Sequence, residues 1–298
     1  MTTSLHHSRR HYLIAAGTAL LCPSPLLFAA PAATSIAAAE TQLAALELAA
    51  GGRLGVSAWR TDGGARIAHR ADERFPMCST FKAVLAAAVL ARSASESGLL
   101  EKRIRYSAKE LVTYSPLTEK QLQDGMSVAE LCAAALQYSD NSAANFLMKI
   151  LGGPQAVTAY MRSIGNTVFQ LERWETELNT AIPGEVRDTA SPASMAHSLQ
   201  QLLLENALPA PQRQQLETWM RGNTTGDKRI RAGVPAGWSV ADKTGSGAYG
   251  TVNDIGVAYP PSGAPLVIAV YYTREQKNAP TNQDIITAAT RIVAAALA

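Results

Sequence analysis

The run Trp238-Ser239-Val240-Ala241-Asp242-Lys243-Thr244-Gly245-Ser246-Gly247, with Val252 to Tyr259 and Leu266 to Thr273 behind it, sets the architecture of this chain. Its residues follow strand rather than helix periodicity, and Pro260-Pro261-Ser262-Gly263 separates the last two segments, so the three read as consecutive strands. At the other end of the chain, Leu54 to Arg60 and Ala65 to His69 flank the turn signal Thr61-Asp62-Gly63-Gly64 and read as a hairpin. Strands at both ends predict a five-stranded antiparallel sheet assembled from both termini.

The middle of the chain has helical spacing. From Ser79 onward Phe81, Val84, Leu85, Ala88 and Val89 recur on one face, and alanines fill the others, so this helix is expected to be buried all round. Ser127-Val128-Ala129-Glu130 is a capping box opening a second helix, to about Tyr138. A third runs from about Ser142 to Gly152-Gly153, a fourth from Pro154 to Gly165, and a fifth starts at Ser191-Pro192. Further helices are expected over residues 40–50 and over Asp284 to Leu297. The class is α/β of the α+β kind. A helical lobe, about residues 78–225, is inserted into a sheet lobe of residues 40–77 plus 226–298, and the cleft between them is the default site.

Hydrophobic residues make up 47% of the chain and charged ones 17%, enough apolar material for a packed core. The formal charge of +3 falls toward zero if Arg9 and Arg10 leave with a leader, so nucleic acid is not an expected partner. That leader is expected over residues 1–39. Arg9-Arg10 precede the apolar run Leu13 to Leu21, and Ala30-Pro31-Ala32 and Ala37-Ala38-Ala39 are both candidate cleavage zones. Paired arginines suggest twin-arginine export to the periplasm. Pro23, Pro25 and Pro31 interrupt the apolar stretch, which argues against a stable membrane anchor. Beyond the leader only Cys78 and Cys132 remain, read as small packing groups. No Cys/His ligand set is present, so neither metal nor organic cofactor is expected. His69 and His197 read as structural, and no G-x-S-x-G elbow accompanies them.

A serine nucleophile without histidine needs another base. Ser79-Thr80-Phe81-Lys82 offers one, because residues three apart on a helix share a face. A lysine partly buried among alanines gains access to its neutral form and can take the serine proton. The pattern alone is weak, expected by chance about once in such a chain. Ser139-Asp140-Asn141 falls where the capped helix ends. There Ser139 can relay a proton to a leaving nitrogen, and Asn141 can bond a substrate carbonyl. Lys243-Thr244-Gly245-Ser246-Gly247 puts cation and hydroxyls beside glycines in a strand, a setting for a ligand carboxylate near exposed backbone.

Taken in order, S-x-x-K, S-D-N and K-T-G resemble the class A serine β-lactamases, from about Glu40 to the C-terminus. The resemblance implies a β-lactam-opening hydrolase, active on penicillins and cephalosporins through a serine ester and conferring antibiotic resistance, and a monomer is expected. A fourth motif, Arg173-Trp174-Glu175-Thr176-Glu177-Leu178-Asn179 with Arg187-Asp188-Thr189, looks like the family's omega loop. Glu175 and Asn179 would hold the deacylating water there, and Arg173 and Asp188 would pair at the loop's base. Penicillin-binding transpeptidases lack this element. It therefore also separates the chain from two rivals, a cell-wall transpeptidase or carboxypeptidase and a non-catalytic β-lactam sensor. The same resemblance assigns Ser79 and Ser246 N–H groups to the oxyanion hole and Tyr114 to the cleft entrance. Either Lys82 or Glu175 would serve as base for acylation.

Departures from the family pattern are informative. Val252 stands where many members carry an arginine for the substrate carboxylate, and Arg229 matches the alternative source of that charge. Ala86 replaces the disulfide partner that Cys132 has in some relatives. Gly247 replaces the partner of Cys78 in some carbapenem-hydrolysing relatives, which counts against strong carbapenem turnover.

Overall fold

The computed structural model describes residues 1–4 and 35–297. The expected export signal therefore lies mostly outside the described residues, including Arg9, Arg10 and the Ala30-Pro31-Ala32 zone. The described residues 35–297 form one unit.

Helix α1 (Ile36–Ala50) begins four residues before the expected start at residue 40. The Ser35 hydroxyl accepts the Ala38 N–H and caps it, and Gly51 ends it in the left-handed region. Strands β1 (Arg53–Arg60) and β2 (Arg66–His69) form the expected hairpin. Two short ladders follow, β3 (Phe75–Pro76) with β6 (Thr189–Ala190) and β4 (Arg103–Ile104) with β5 (Met126–Ser127). The C-terminal strands are β7 (Ser239–Ser246), β8 (Val252–Tyr259) and β9 (Leu266–Thr273). The five long strands are all antiparallel, in the order β2-β1-β9-β8-β7, so the K-T-G strand is an edge.

Both faces of this sheet are covered. Val267, Ala269 and Tyr271 of β9 join the helical core, whereas Leu266, Ile268, Val270 and Tyr272 pack with α1 and with α9 (Asp284–Leu297). That is why Leu-Val-Ile-Ala-Val-Tyr-Tyr-Thr reads as a continuous apolar run: every residue of β9 is buried.

Helix α2 (Phe81–Ser93) is buried from Phe81 to Leu90 on every side, as its alanines predict. Helix α3 (Val128–Gln137) carries both hydrogen bonds of the expected capping box. Asp140 caps α4 (Asn141–Leu151), and Pro154 opens α5 (Pro154–Ser163). Ser191 caps α6 (Pro192–Leu203). Two helices escaped the sequence reading, α7 (Ala210–Arg221) and the single turn α8 (Ile230–Gly233). Among the described residues no helix is long and apolar enough to cross a membrane.

Candidate active site

Ser79 does not lie on α2 itself. It sits in the 3-10 turn Cys78–Thr80 that leads into the helix, and its side chain is nearly buried. Asn253 of β8 holds the approach to that turn by donating to the Pro76 and Met77 carbonyls at 2.8 and 3.0 Å. The edge strand closes on it from the side. A Cβ on Gly245 would stand 2.7 Å from the Met77 carbonyl oxygen, so only glycine lets β7 approach this closely. Cys78 (φ 46°), Tyr114 (φ 64°) and Ser139 (φ 59°) all adopt left-handed backbone conformations around the serine. Each such non-glycine residue costs on the order of 1 kcal/mol or more, and such strain gathers where function fixes geometry.

Lys82 is sealed from solvent, and its Nζ has four oxygen neighbours. It donates to Asn141 Oδ1 at 2.6 Å, to the Ser139 carbonyl at 2.8 Å and to Ser139 Oγ at 3.4 Å, and pairs with Glu175 Oε1 at 3.0 Å. Burial pushes its pKa down, and the Glu175 carboxylate opposes that shift. The Ser79 hydroxyl donates to Glu175 Oε1 at 3.4 Å, so in this geometry the serine proton faces the carboxylate rather than the lysine.

Glu175 is clamped from three directions. Asn179 Nδ2 donates to its Oε2 at 2.5 Å. Asn145 accepts the Glu175 N–H and donates to the Glu175 carbonyl, both at 2.9 Å. The Glu175-Thr176 peptide is cis. At the base of the loop Arg173 Nε meets Asp188 Oδ2 at 2.5 Å, while Asp188 Oδ1 accepts the Glu172 and Arg173 N–H groups. Met77 N–H donates to the Asp188 carbonyl at 3.0 Å, which ties the loop to the residue that leads into the nucleophile's turn.

Opposite Glu175, Lys243 Nζ donates to Ser139 Oγ at 3.1 Å, so Ser139 lies between two ammonium groups. Lys243 is also fully buried. Desolvation, then repulsion from Lys82, pushes its pKa down to about 7. Thr244 shares a 2.5 Å hydrogen bond with the Thr225 hydroxyl. Ser246, at the open end of β7, accepts from Arg229 at 2.7 Å.

Asn141 and Arg229 are more committed to the protein than their motifs imply. Asn141 Nδ2 donates to the Thr113 carbonyl while its oxygen takes Lys82. Arg229 is nearly buried and donates to the Gly245 and Asn253 carbonyls and to Gln283, so it reaches the open end of the strand through Ser246. Tyr114 is 58% exposed, which excludes a core role for it. Its carbonyl accepts the Asn141 N–H.

The structure thus brings Ser79, Lys82, Ser139, Asn141, Glu175, Asn179 and Lys243 into one connected network. Thr244, Gly245, Ser246 and Arg229 form its strand side, and Arg173 and Asp188 fasten its loop. Sequence reasoning missed Asn145, Asn253 and Thr225. Only Asn145 left a trace, one helical turn beyond Asn141 on the same face of α4. Cys78 and Cys132 are buried, in keeping with their reading as small packing groups, and both are free thiols. A Cβ on Gly247 would lie 2.7 Å from Cys78 Sγ, so these two positions do face each other.

A buried serine, two lysines and a clamped carboxylate can form an ester and then direct water against it. Residues 38–297 match the Beta-lactamase enzyme family. The chain belongs to the class A β-lactamases. It is 55% identical over 266 residues to the Carbapenem-hydrolyzing beta-lactamase KPC of Klebsiella oxytoca, covering 89% of this chain and 90% of that one. Beta-lactamase CTX-M-97 of Escherichia coli is 51% identical over 270 residues, 90% of this chain and 93% of that one. The crystal structure of a β-lactamase from Desulfarculus baarsii superposes with a TM-score of 0.86 at 56% identity, over 87% of this chain and 97% of that one. The protein is accordingly a serine β-lactamase that hydrolyses β-lactam antibiotics. The transpeptidase and sensor readings fall away.

Proposed function

We propose that this β-lactamase opens penicillins and cephalosporins in two acyl transfers on Ser79. The observation that carries the proposal is the Glu175 carboxylate, 3.4 Å from Ser79 Oγ, 3.0 Å from Lys82 Nζ and clamped by Asn145 and Asn179. Lys243, Thr244 and Ser246 receive the substrate carboxylate, with Arg229 acting through Ser246. Asn141 places the side-chain amide, and Tyr114 lines the entrance. Ser79 attacks the strained carbonyl, whose oxygen develops negative charge toward the Ser79 and Ser246 N–H groups. One such donor is typically worth 10²–10³ in rate, roughly 3–4 kcal/mol. Ser139, between Lys82 and Lys243, delivers the proton to the leaving nitrogen. The Ser79–Glu175 bond makes Glu175 one candidate for the acylation base, and the depressed pKa of Lys82 keeps a neutral amine accessible as the other, so ester formation survives the loss of Glu175. Glu175 then activates water against the ester.

The enzyme works as a monomer in the periplasm, exported behind the leader by the twin-arginine route. Cleavage in the Ala30-Pro31-Ala32 zone is supported by what lies downstream: Ser35 caps α1, and Ala39 is fully buried. A cut in the Ala37-Ala38-Ala39 zone would remove the cap.

Steady-state turnover of a chromogenic cephalosporin by the mature protein, beside Glu175→Ala, tests the mechanism. Wild type is expected to turn over steadily, and the variant to release one equivalent and stall. A wild type that stalls after one equivalent would contradict it.

A further inference from the structure

A cavity of about 1100 Å³ includes none of the motif residues of the Ser79 site and meets its approach only at Pro76. Its walls are the last turn of α1, the ends of β1 and β9, the 70–76 segment and residues 181–186, just downstream of Glu175 and Asn179. The volume suits a small organic ligand.

Its polar lining is unbalanced in bonding capacity even though arginines and glutamates are both present. Glu47 has three of its roughly four acceptor positions filled: Oε1 accepts from Leu54 N–H and Arg70, and Oε2 meets His69 at 2.8 Å. Glu73 gives one oxygen to Arg70 and the other to Arg53. Glu185 is taken by Arg187, and Glu275 is exposed to solvent. The guanidinium groups are not used up. Each offers five N–H groups. Among the described residues, Arg53 bonds only Glu73 and the Arg74 carbonyl, both through one nitrogen. Arg70 bonds Glu47 and Glu73, and Arg274 bonds the Tyr272 hydroxyl and the Ala50 carbonyl. The Arg53 guanidinium is held in place by the Phe75 ring, 4.5 Å beneath it. What remains is an excess of fixed cationic donors.

The rim is apolar. Leu48 (85% exposed), Ile182 (45%) and Val186 (46%) are three of the few large hydrophobic side chains left in solvent, and all three line this cavity. Apolar groups kept at a concave surface that arginines also line point to a ligand with two ends.

We propose that this cavity is a second ligand site, which takes an amphiphilic carboxylate. Its head bridges Arg53, Arg70 and Arg274, and its tail lies along Leu48, Ile182 and Val186. The carboxylate matches the planar guanidinium fork, and the concave wall favours a free acid over a membrane surface.

Titration of the ¹⁵N-labelled mature enzyme with sodium octanoate, read by amide chemical shifts, tests the site without reference to catalysis. Saturable shifts are expected around residues 44–53, 70–76, 181–186 and 273–276. Arg53→Gln with Arg274→Gln is expected to weaken binding at least tenfold, and acetate and octyl glucoside are expected to give no saturable shift there. Leu48→Ser, at a position exposed enough to leave the fold intact, is expected to weaken octanoate severalfold and guards against a misfolded arginine variant. Shifts centred on Ser79 and Lys243, equal binding of octyl glucoside or acetate, or undiminished binding by the variants would each overturn the proposal. So would arginine-dependent sedimentation with phosphatidylglycerol vesicles in the absence of octanoate binding, which would assign the donors to a lipid surface.

Discussion

Glu175 sits on a loop and Lys243 on a strand, and both side chains are shut off from solvent. On the loop side the Glu175 carboxylate and backbone are positioned by side chains, Asn145, Asn179 and the Arg173–Asp188 pair, with backbone bonds to the rest of the site from Met77 to Asp188 and from Ala248 to Asn179. The strand side is fastened by backbone, because Lys243 pairs with Ile255 and Gly245 with Asn253 in the sheet ladder. A side-chain fastening is lost with one substitution, and a ladder is not. The deacylating half of the site is therefore the more fragile, and damage there should trap ester rather than weaken binding.

Asp188→Ala should have the largest effect. It leaves Arg173 unpaired and two loop N–H groups without their acceptor, at a cost of roughly 3–5 kcal/mol in stability. Denaturant melts should show the loss, and the surviving folded enzyme should accumulate ester, with kcat and KM falling together while kcat/KM stays within about threefold. Equal losses in binding and turnover would erase the distinction between the two halves. Asn145→Ala removes both bonds to the Glu175 backbone, worth about 1–3 kcal/mol. Ester hydrolysis should slow about tenfold or more in single-turnover experiments, with acylation less affected.

Much of this contrast was legible in the sequence. Strand-like apolar runs bounded by turn signals exposed all five long strands, and the three motifs with Glu175 named most of the network. Helix α7 was missed because Ala-Pro-Gln-Arg-Gln-Gln-Leu-Glu-Thr-Trp-Met-Arg is mostly polar and buries only Leu216, Trp219 and Met220. The left-handed backbone at Cys78, Tyr114 and Ser139 left no signal, since none is glycine. The destination of Arg229 was also hidden. A motif gives charge and register, but not whether a guanidinium spends its donors on the cleft or on the carbonyls behind it.

On the strand side the expected effects are smaller and depend on pH. Free Lys243 loses its proton as pH rises through about 7, because burial and Lys82 disfavour its charged form. It attracts an anionic β-lactam below that pH. The kcat/KM profile should therefore fall along an alkaline limb near 7, and kcat should fall less, because the bound carboxylate restores the charge. Lys243→Arg should move the limb upward, and an unmoved limb would assign it to another group. The smallest effect should come from Asp254, whose Oδ1 is buried without a hydrogen-bond partner and whose pKa is raised by burial and then by Asp242. A carboxyl raised on folding binds its proton more tightly in the native state, so its contribution to stability fades as pH rises through the folded value. Asp254→Asn should flatten that slope at a cost below about 1 kcal/mol, read from melts across pH.

The most direct test of the loop's role is the intact mass of Glu175→Gln, quenched seconds after mixing with a penicillin. The variant should gain the mass of one whole penicillin, placed on the peptide containing Ser79 by digestion, while wild type treated identically stays unmodified. An unmodified variant would place Glu175 before the ester rather than after it, and would contradict the division between a hydrolysing loop and a binding strand.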